Sequence, residues 1–526
     1  MRNLRTSLVV ALSTAVLVLA LAPAAQTAQA AQSAQVDGSL HVTPDDYVGG
    51  QALTFTGHIG APGEQRITLQ QHLGRSGDGW ADIKGFSAQT DAYGAFEFTY
   101  PAPSMFGIKY RVVAGGAAVT PAWTFNAKSQ DLTLELDGEA RAGREFSLLV
   151  DTTPSLWGRP DTIGLLPFPG RVLTLERRGG DNEWEHVDDT IADQEGHGRF
   201  DVTVAEPGTV VYRVVQEDWT RDGDQVGWFP SFPTYVEVLD PRAPRTVLPA
   251  PSDDSAETTS SGTSSRTGAM APATANGDVA TSTASSVNGW APSVFDFAWV
   301  SGESLTSPPY RGTRLQGWWR DYSDGAGRVG KHNGGLVLDS SRKTKEMLGD
   351  FGTTMATLEG NSLKFGRWET RLRLKAHESS HADYRALVEL VPADEAARAA
   401  CGVPGITVAD MSAHSGLIRY GAVKAPRSWR GKVSVAEVNN RSIAVAVEVT
   451  RKHVSWFVDG RVVGTVGRKA VPRVPLTLRM SLVGNGAQEM NHTQLVSDWQ
   501  RGFTLKRGDK VGSGSAVKRN RYASSC

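Results

Sequence analysis

Two stretches of this chain carry the same succession of landmarks, and that repeat limits the fold more than any single motif. Gln65–Gln70 (QRITLQ) leads to Trp80, to Asp91–Phe96 (DAYGAF) and to Tyr110-Arg-Val-Val113. Arg171–Glu176 (RVLTLE) leads in the same way to Trp184, to Gly196–Phe200 (GHGRF) and to Tyr212-Arg-Val-Val215. The paired tryptophans and phenylalanines lie 104 residues apart and the tyrosines 102. In each copy the apolar side chains alternate: Phe96, Phe98 and Tyr100 point one way, as do Phe200, Val202 and Val204. That is the period of a strand with one buried face. Gly, Pro and Asp separate the short runs. Two all-β sandwiches of about 100 residues each fit the pattern, over 32–128 and 129–240.

At 526 residues the chain has room for more than these two modules. The modules resemble the immunoglobulin-like units of secreted bacterial proteins. Residues 1–31 read as a signal peptide, with Arg2 and Arg5, an apolar run from Leu8 to Ala22, and Ala28-Gln29-Ala30 as the cleavage site. No second apolar run of spanning length follows. The mature chain is therefore expected to have no membrane span and to be secreted, extracellular or associated with the cell envelope. Residues 241–289 read as a disordered linker: from Pro251 to Ser286 there are 16 Ser or Thr and no aromatic, Leu or Ile. Residues 290–526 form a further β-rich domain. Its strand-like runs are Gly335–Asp339, Arg367–Leu374, Arg385–Val391, Ile443–Val449, His453–Val458 and Leu476–Leu482. Asp459-Gly460 marks a tight hairpin, and Asp394–Ala400 is the only helix-like piece. Export permits a disulfide. Cys401 and Cys526 are the only two cysteines and would form the one possible internal bond, with free thiols or an intermolecular bond as the alternative.

In the C-terminal domain four stretches become specific. They are Lys364–Lys375 (KFGRWETRLRLK), Tyr384–Pro392 (YRALVELVP), Ile443–Gly460 (IAVAVEVTRKHVSWFVDG) and Pro475–Phe503, which ends MNHTQLVSDWQRGF. In that order and spacing they resemble glycoside hydrolase family 16, over most of residues 293–505. The resemblance implies a concanavalin-like β-jelly roll in which one concave sheet forms a sugar cleft. It also implies a catalytic strand, E-x-D-x-x-E, between the second and third stretches. There the first Glu is the nucleophile, the Asp assists, and the last Glu is the acid/base of a retaining mechanism. Retention needs two carboxyls about 5–5.5 Å apart. A bulge must absorb the extra residue to keep all three on one face.

This chain departs from the pattern at that strand, Val403–Met411 (VPGITVADM). Gly405 stands in the nucleophile's place, Thr407 in the assisting Asp's and Asp410 in the acid/base's. A glycine offers no attacking atom, and no Glu lies between Glu395 and Glu437 to supply one in another register. Glu389 falls where the family carries a cleft aromatic. A Glu389–Asp410 pair could serve an altered or inverting mechanism at about 6.5–9.5 Å. The plain alternative is that Glu389 is a solvated or ion-paired strand residue near Arg371, Arg373 or Arg385.

Trp318, Trp319 and Tyr322 cluster in GWWRDYSDG, and Trp429 lies in the basic stretch KAPRSWRGK. Aromatic faces stack on sugar rings, so these four are the candidate sugar-binding residues, with core packing as the alternative for Trp318 and Trp319. Trp368, Trp456 and Trp499 sit in strand-like runs and read as core. His377 and His381 are four apart without a helical pattern, so no metal site is expected, and no cofactor motif occurs. Charge divides unevenly: residues 31–289 carry 18 Lys+Arg against 35 Asp+Glu, and residues 290–526 carry 35 against 21. The basic half would attract an anionic polymer, or would match the acidic half of the same chain. No nucleic-acid recognition module is visible, so nucleic acid is not expected. The expected protein is a secreted polysaccharide-binding monomer with a degenerate hydrolase site. An active glycoside hydrolase using Asp410 with Glu389, and an adhesion or scaffold protein, are the two alternatives.

Overall fold

The computed structural model describes residues 38–242 and 282–521, save 74–78, 84, 105–106, 116–117, 129, 153–168, 181, 222–223, 292, 300–304, 306–315, 333–334, 341–351, 399–401, 487 and 507–513. The expected signal peptide, most of the expected linker and both cysteines, Cys401 and Cys526, lie outside the described residues. The fold is all-β. Among the described residues no helix is long and apolar enough to cross a membrane.

Both repeats fold as a pair of packed antiparallel sheets. In the first, Ser39–Thr43, Ala52–His58 and Ala95–Pro101 form one sheet, and Arg66–His72 pairs with Lys109–Ala114 in the other. In the second, Thr133–Asp137, Glu145–Asp151 and His197–Thr203 answer to the first sheet, and Val172–Arg178 with Gly208–Gln216 to the second. The repeated landmarks are core: Phe96, Phe200, Tyr110 and Tyr212 are all buried. The repeated tryptophans carry an arginine on their faces. The Arg111 guanidinium lies 4.1 Å from the Trp80 ring centroid and that of Arg213 lies 4.2 Å from Trp184. Arg111 Nε donates to Gln70 at 2.9 Å, and Arg213 Nε to Glu176 at 2.6 Å.

In the second module this face meets the C-terminal domain. Arg213 Nη1 donates to Asp321 Oδ2 at 2.7 Å, with both side chains 7% exposed. Arg178 donates to the carbonyls of Asp324 and Gly325, Arg328 pairs with Asp131 at 2.9 Å, and Arg320 pairs with Glu183. The charge asymmetry is thus partly matched inside the chain: Arg320 and Arg328 set basic groups on acids of the acidic half.

The C-terminal domain is a sandwich of two eight-stranded sheets around one apolar core. One sheet runs Arg328–His332, Gly335–Asp339, Thr493–Phe503, Gly366–Ala376, Ser442–Val449, His453–Val458 and Arg461–Gly467, with Ser293–Phe297 also on Thr493–Phe503. The other runs Trp318–Asp321, Thr353–Glu359, Leu476–Val483, Arg385–Pro392, Gly405–Met411, Leu417–Lys424, Arg427–Ser434 and Lys518–Arg521. All of its strand pairings are antiparallel. The expected hairpin is present: Val458 pairs with Arg461, and Asp459 (φ 48°) and Gly460 (φ 76°) are both left-handed, as a type I′ turn requires. The short helix is Glu395–Arg398.

The linker boundary differs from the expectation. A helix, Ala284–Asn288, capped by Thr283, packs against the first sheet's outer face, where Ala284 and Trp290 bury Ala446, Phe457 and Phe503. Residues 283–289, expected to end the linker, therefore pack as part of the C-terminal unit. This cover explains why Ile443–Val449 is apolar without alternation: the strand is buried on both faces.

Candidate functional site

The second sheet presents its outer face to solvent, and cross-strand register shows which side chains share it. One row crosses all eight strands: Arg320, Thr357, Arg479, Glu389, Thr407, Gly421, Arg430 and Lys518. Beside it runs Met355, Ser481, Leu387, Asp410, Arg419 and Lys432. The two halves of the face differ in access. Thr357, Thr477 and Ser481 are buried, whereas Arg419, Arg430, Lys432 and Lys518 are exposed.

Positions 405, 407 and 410 do share the face. The pairing of Arg385–Pro392 with Gly405–Met411 slips between Val388 and Glu389, so Val408 and Ala409 both turn into the core. This is the bulge that a spacing of 405, 407 and 410 demands. Trp456, from the opposite sheet, donates Nε1–H to the Thr407 carbonyl at 2.9 Å and fixes the strand there. A Cβ added at Gly405 would meet only the Leu390 carbonyl oxygen, at 3.4 Å, so the position has room for a side chain. Asp410 is tied to Arg385, which donates to its two oxygens at 3.3 and 3.0 Å. Glu389 accepts from Arg479 through Nη2 at 2.9 Å and Nε at 3.3 Å. Glu389 is thus ion-paired, and its partner is Arg479 rather than Arg371, Arg373 or Arg385. Each carboxylate is engaged by a guanidinium, Glu389 through Oε2 and Asp410 through both oxygens.

The aromatic candidates separate. Trp318 is 47% exposed at the edge of the face, and its ring lies over Gly360, where a Cβ would come within 2.4 Å of it. Trp319 is corrected: it is 1% exposed and packs edge-on against Phe297 in the core. Successive strand residues point to opposite faces, so Trp318 and Trp319 could not both face the cleft. Trp429 is corrected as well. It is 6% exposed and pairs with Ala422 on the inward side, while Arg430 and Lys432 take the outward side. Its basic neighbours reflect alternation, not its own exposure. Tyr322 donates its hydroxyl to Glu359 at 3.1 Å and lies between the guanidiniums of Arg320 and Arg398, 4.8 and 5.9 Å from its ring. Burial, and then the Glu359 carboxylate, push its phenol up to about 12. Both ring neighbours and the hydroxyl are engaged, so Tyr322 belongs to the covered end of the face. The Glu395–Arg398 helix closes that end, with Arg398 donating to Glu359 at 2.7 and 3.2 Å.

Five groups on the face were not singled out from sequence: Arg479, Arg419, Arg430, Lys432 and Lys518. The alternation of Trp429 and Val433 with Arg430 and Lys432 was the available clue. His377 stacks on His492 at 4.5 Å, and no metal-holding cluster occurs among the described residues.

No family model and no curated protein matches the chain. Solved structures do. A laminarinase from Rhodothermus marinus is 16% identical with a TM-score of 0.30, covering 34% of this chain and 81% of its own. The catalytic domain of an endo-1,3-β-glucanase (laminarinase) from Thermotoga petrophila is 17% identical with a TM-score of 0.33, covering 41% and 99%. A non-specific endo-β-1,3(4)-glucanase from family GH16 is 13% identical with a TM-score of 0.31, covering 41% and 91%. Likenesses at this level transfer no residue roles.

Proposed function

We propose that this is a secreted polysaccharide-binding protein whose C-terminal sandwich keeps the cleft of a glycoside hydrolase without its covalent chemistry. The observation that carries the reading is the Gly405–Met411 strand. Its bulge sets positions 405, 407 and 410 on one open face, yet these hold Gly, Thr and an Asp tied to Arg385. A retaining mechanism needs an anion at the first of these. An exposed Trp318 at the edge of the same face supplies a stacking surface for a sugar ring. The two N-terminal sandwiches, read as immunoglobulin-like, act as spacers or additional binding modules.

The test uses the full mature chain with insoluble and soluble glycans, neutral and acidic. Retention on at least one glycan without release of reducing ends is the expected result. Release that Asp410→Ala or Glu389→Gln abolishes would establish an active hydrolase instead. Retention on none would favour the scaffold reading.

A further inference from the structure

We propose that the open half of this face is a subsite for acidic polysaccharide, held by Arg419, Arg430, Lys432 and Lys518; this rests on the polysaccharide reading above and names the ligand's chemistry. Arg419 stands directly opposite Lys432, and Arg430 directly opposite Lys518. Arg430 and Lys432 are two apart on one strand and so share a face. With strands about 4.8 Å apart and alternate residues about 7 Å apart, the four cations form one compact group. Like charges set opposite each other on neighbouring strands repel. Among the described residues no carboxylate forms an ion pair with any of the four to relieve this. The nearest acid by register, Asp410 opposite Arg419, gives both oxygens to Arg385. A bound polyanion would supply the missing charge.

The floor suits an extended chain. Gly421 lies in the row between Thr407 and Arg430, and a Cβ there would sit 2.3 Å from the Trp429 carbonyl oxygen. No side chain can rise at that point, so none stands between Thr407 and Arg430 in this row. Guanidinium forks bind carboxylate or sulfate through two parallel hydrogen bonds. Nucleic acid fits less well: single-strand binding relies on aromatic faces for the bases, and the tryptophan in this strand, Trp429, is turned into the core.

Binding of the full mature chain to polygalacturonate, dextran sulfate, neutral barley β-glucan and duplex DNA would be compared at low and high salt. The wild type should bind one or both acidic glycans, with carboxylate and sulfate told apart by the two probes. R419Q/R430Q/K432Q should lose on the order of tenfold in that affinity. Its binding to neutral glucan should not change, and K364Q/K452Q, beside the other sheet, should behave as wild type. Thermal unfolding checks the fold. Should the triple variant unfold, R430Q and K432Q singly should each weaken acidic-glycan binding about two- to threefold. Undiminished acidic-glycan binding in folded variants, or binding to neutral glucan alone, would overturn the subsite and leave the polysaccharide reading standing. Binding to duplex DNA above every glycan, or to no glycan, would overturn that reading as well.

Discussion

Gly405 is a glycine that its backbone does not need. Its φ lies outside the left-handed region, and the nearest atom to an added Cβ is at ordinary contact distance. A side chain is possible here and is missing, so on the proposed reading the want of a carboxylate at 405 is a matter of chemistry and not of folding. Gly405→Glu should therefore fold, and because the glycine opens its strand the replacement should raise stability by no more than about 0.5 kcal/mol. Denaturant unfolding checks this, and a fall in midpoint would show that the glycine is structurally required. Restoring the carboxylate alone should release no sugar, because Thr407 carries no charge and Asp410 remains held by Arg385.

His377 is a second residue with a readable consequence. Burial, and then the charge of the neighbouring His492, lower its pKa from 6.5 to about 4, while Gln494 and Asp339 pull the other way and Lys375 adds to the lowering. The unfolded chain takes up a proton near pH 6.5, and the folded chain resists until about 4. Stability should thus be full above pH 6.5, fall as pH drops through the window, and level off below about 4. His377→Gln should flatten that part of the curve of melting temperature against pH. An unchanged curve would assign the slope elsewhere.

At the scale of elements, strand identity was legible because alternation is local, and partnership was not. The 405/407/410 spacing already implied a bulge, and the Asp459-Gly460 pair implied its hairpin. Nothing near Glu389 in sequence pointed to Arg479, ninety residues away on the Leu476–Val483 strand, because only register joins them. Trp429 was misplaced for a related reason: the charge of its neighbours was read as its own exposure, when alternation puts neighbours on opposite faces. The end of the linker was missed because Ser and Thr dominate it, while the apolar groups that seat it, Ala284 and Trp290, are few. The bulge offers a test at this scale. Trp456→Phe keeps a large ring but leaves the Thr407 carbonyl without its donor, and should cost about 1–2 kcal/mol. Hydrogen exchange at the Val408 and Ala409 amides should quicken with it. Exchange as slow as in the wild type would mean the indole does not hold this strand.

Across the whole molecule, the same small device occurs twice and is engaged differently. Arg111 on Trp80 and Arg213 on Trp184 occupy equivalent places in the two modules, each with a polar partner from the neighbouring strand, Gln70 or Glu176. Only in the second module does the guanidinium also reach a carboxylate of another domain, Asp321, and there both side chains are nearly shut off from water. Removing one member of such a pair strands the other's charge. Arg213→Ala leaves both Asp321 and Glu176 without their cation and should cost about 3–5 kcal/mol, whereas Asp321→Ala leaves Arg213 paired with Glu176 and should cost less. The double variant should cost less than the sum, because the nearly buried Asp321 carboxylate is no longer there to be left without its cation. Arg111→Ala removes a stacked cation without a buried ionic partner and should cost about 0.5–1 kcal/mol. Calorimetry of the full chain separates these outcomes. The wild type should unfold its second module together with the C-terminal sandwich, and Arg213→Ala should split that transition while Arg111→Ala leaves it whole. Additive costs for Arg213 and Asp321, or a single transition in all variants, would mean that the two domains are held by other contacts than this pair.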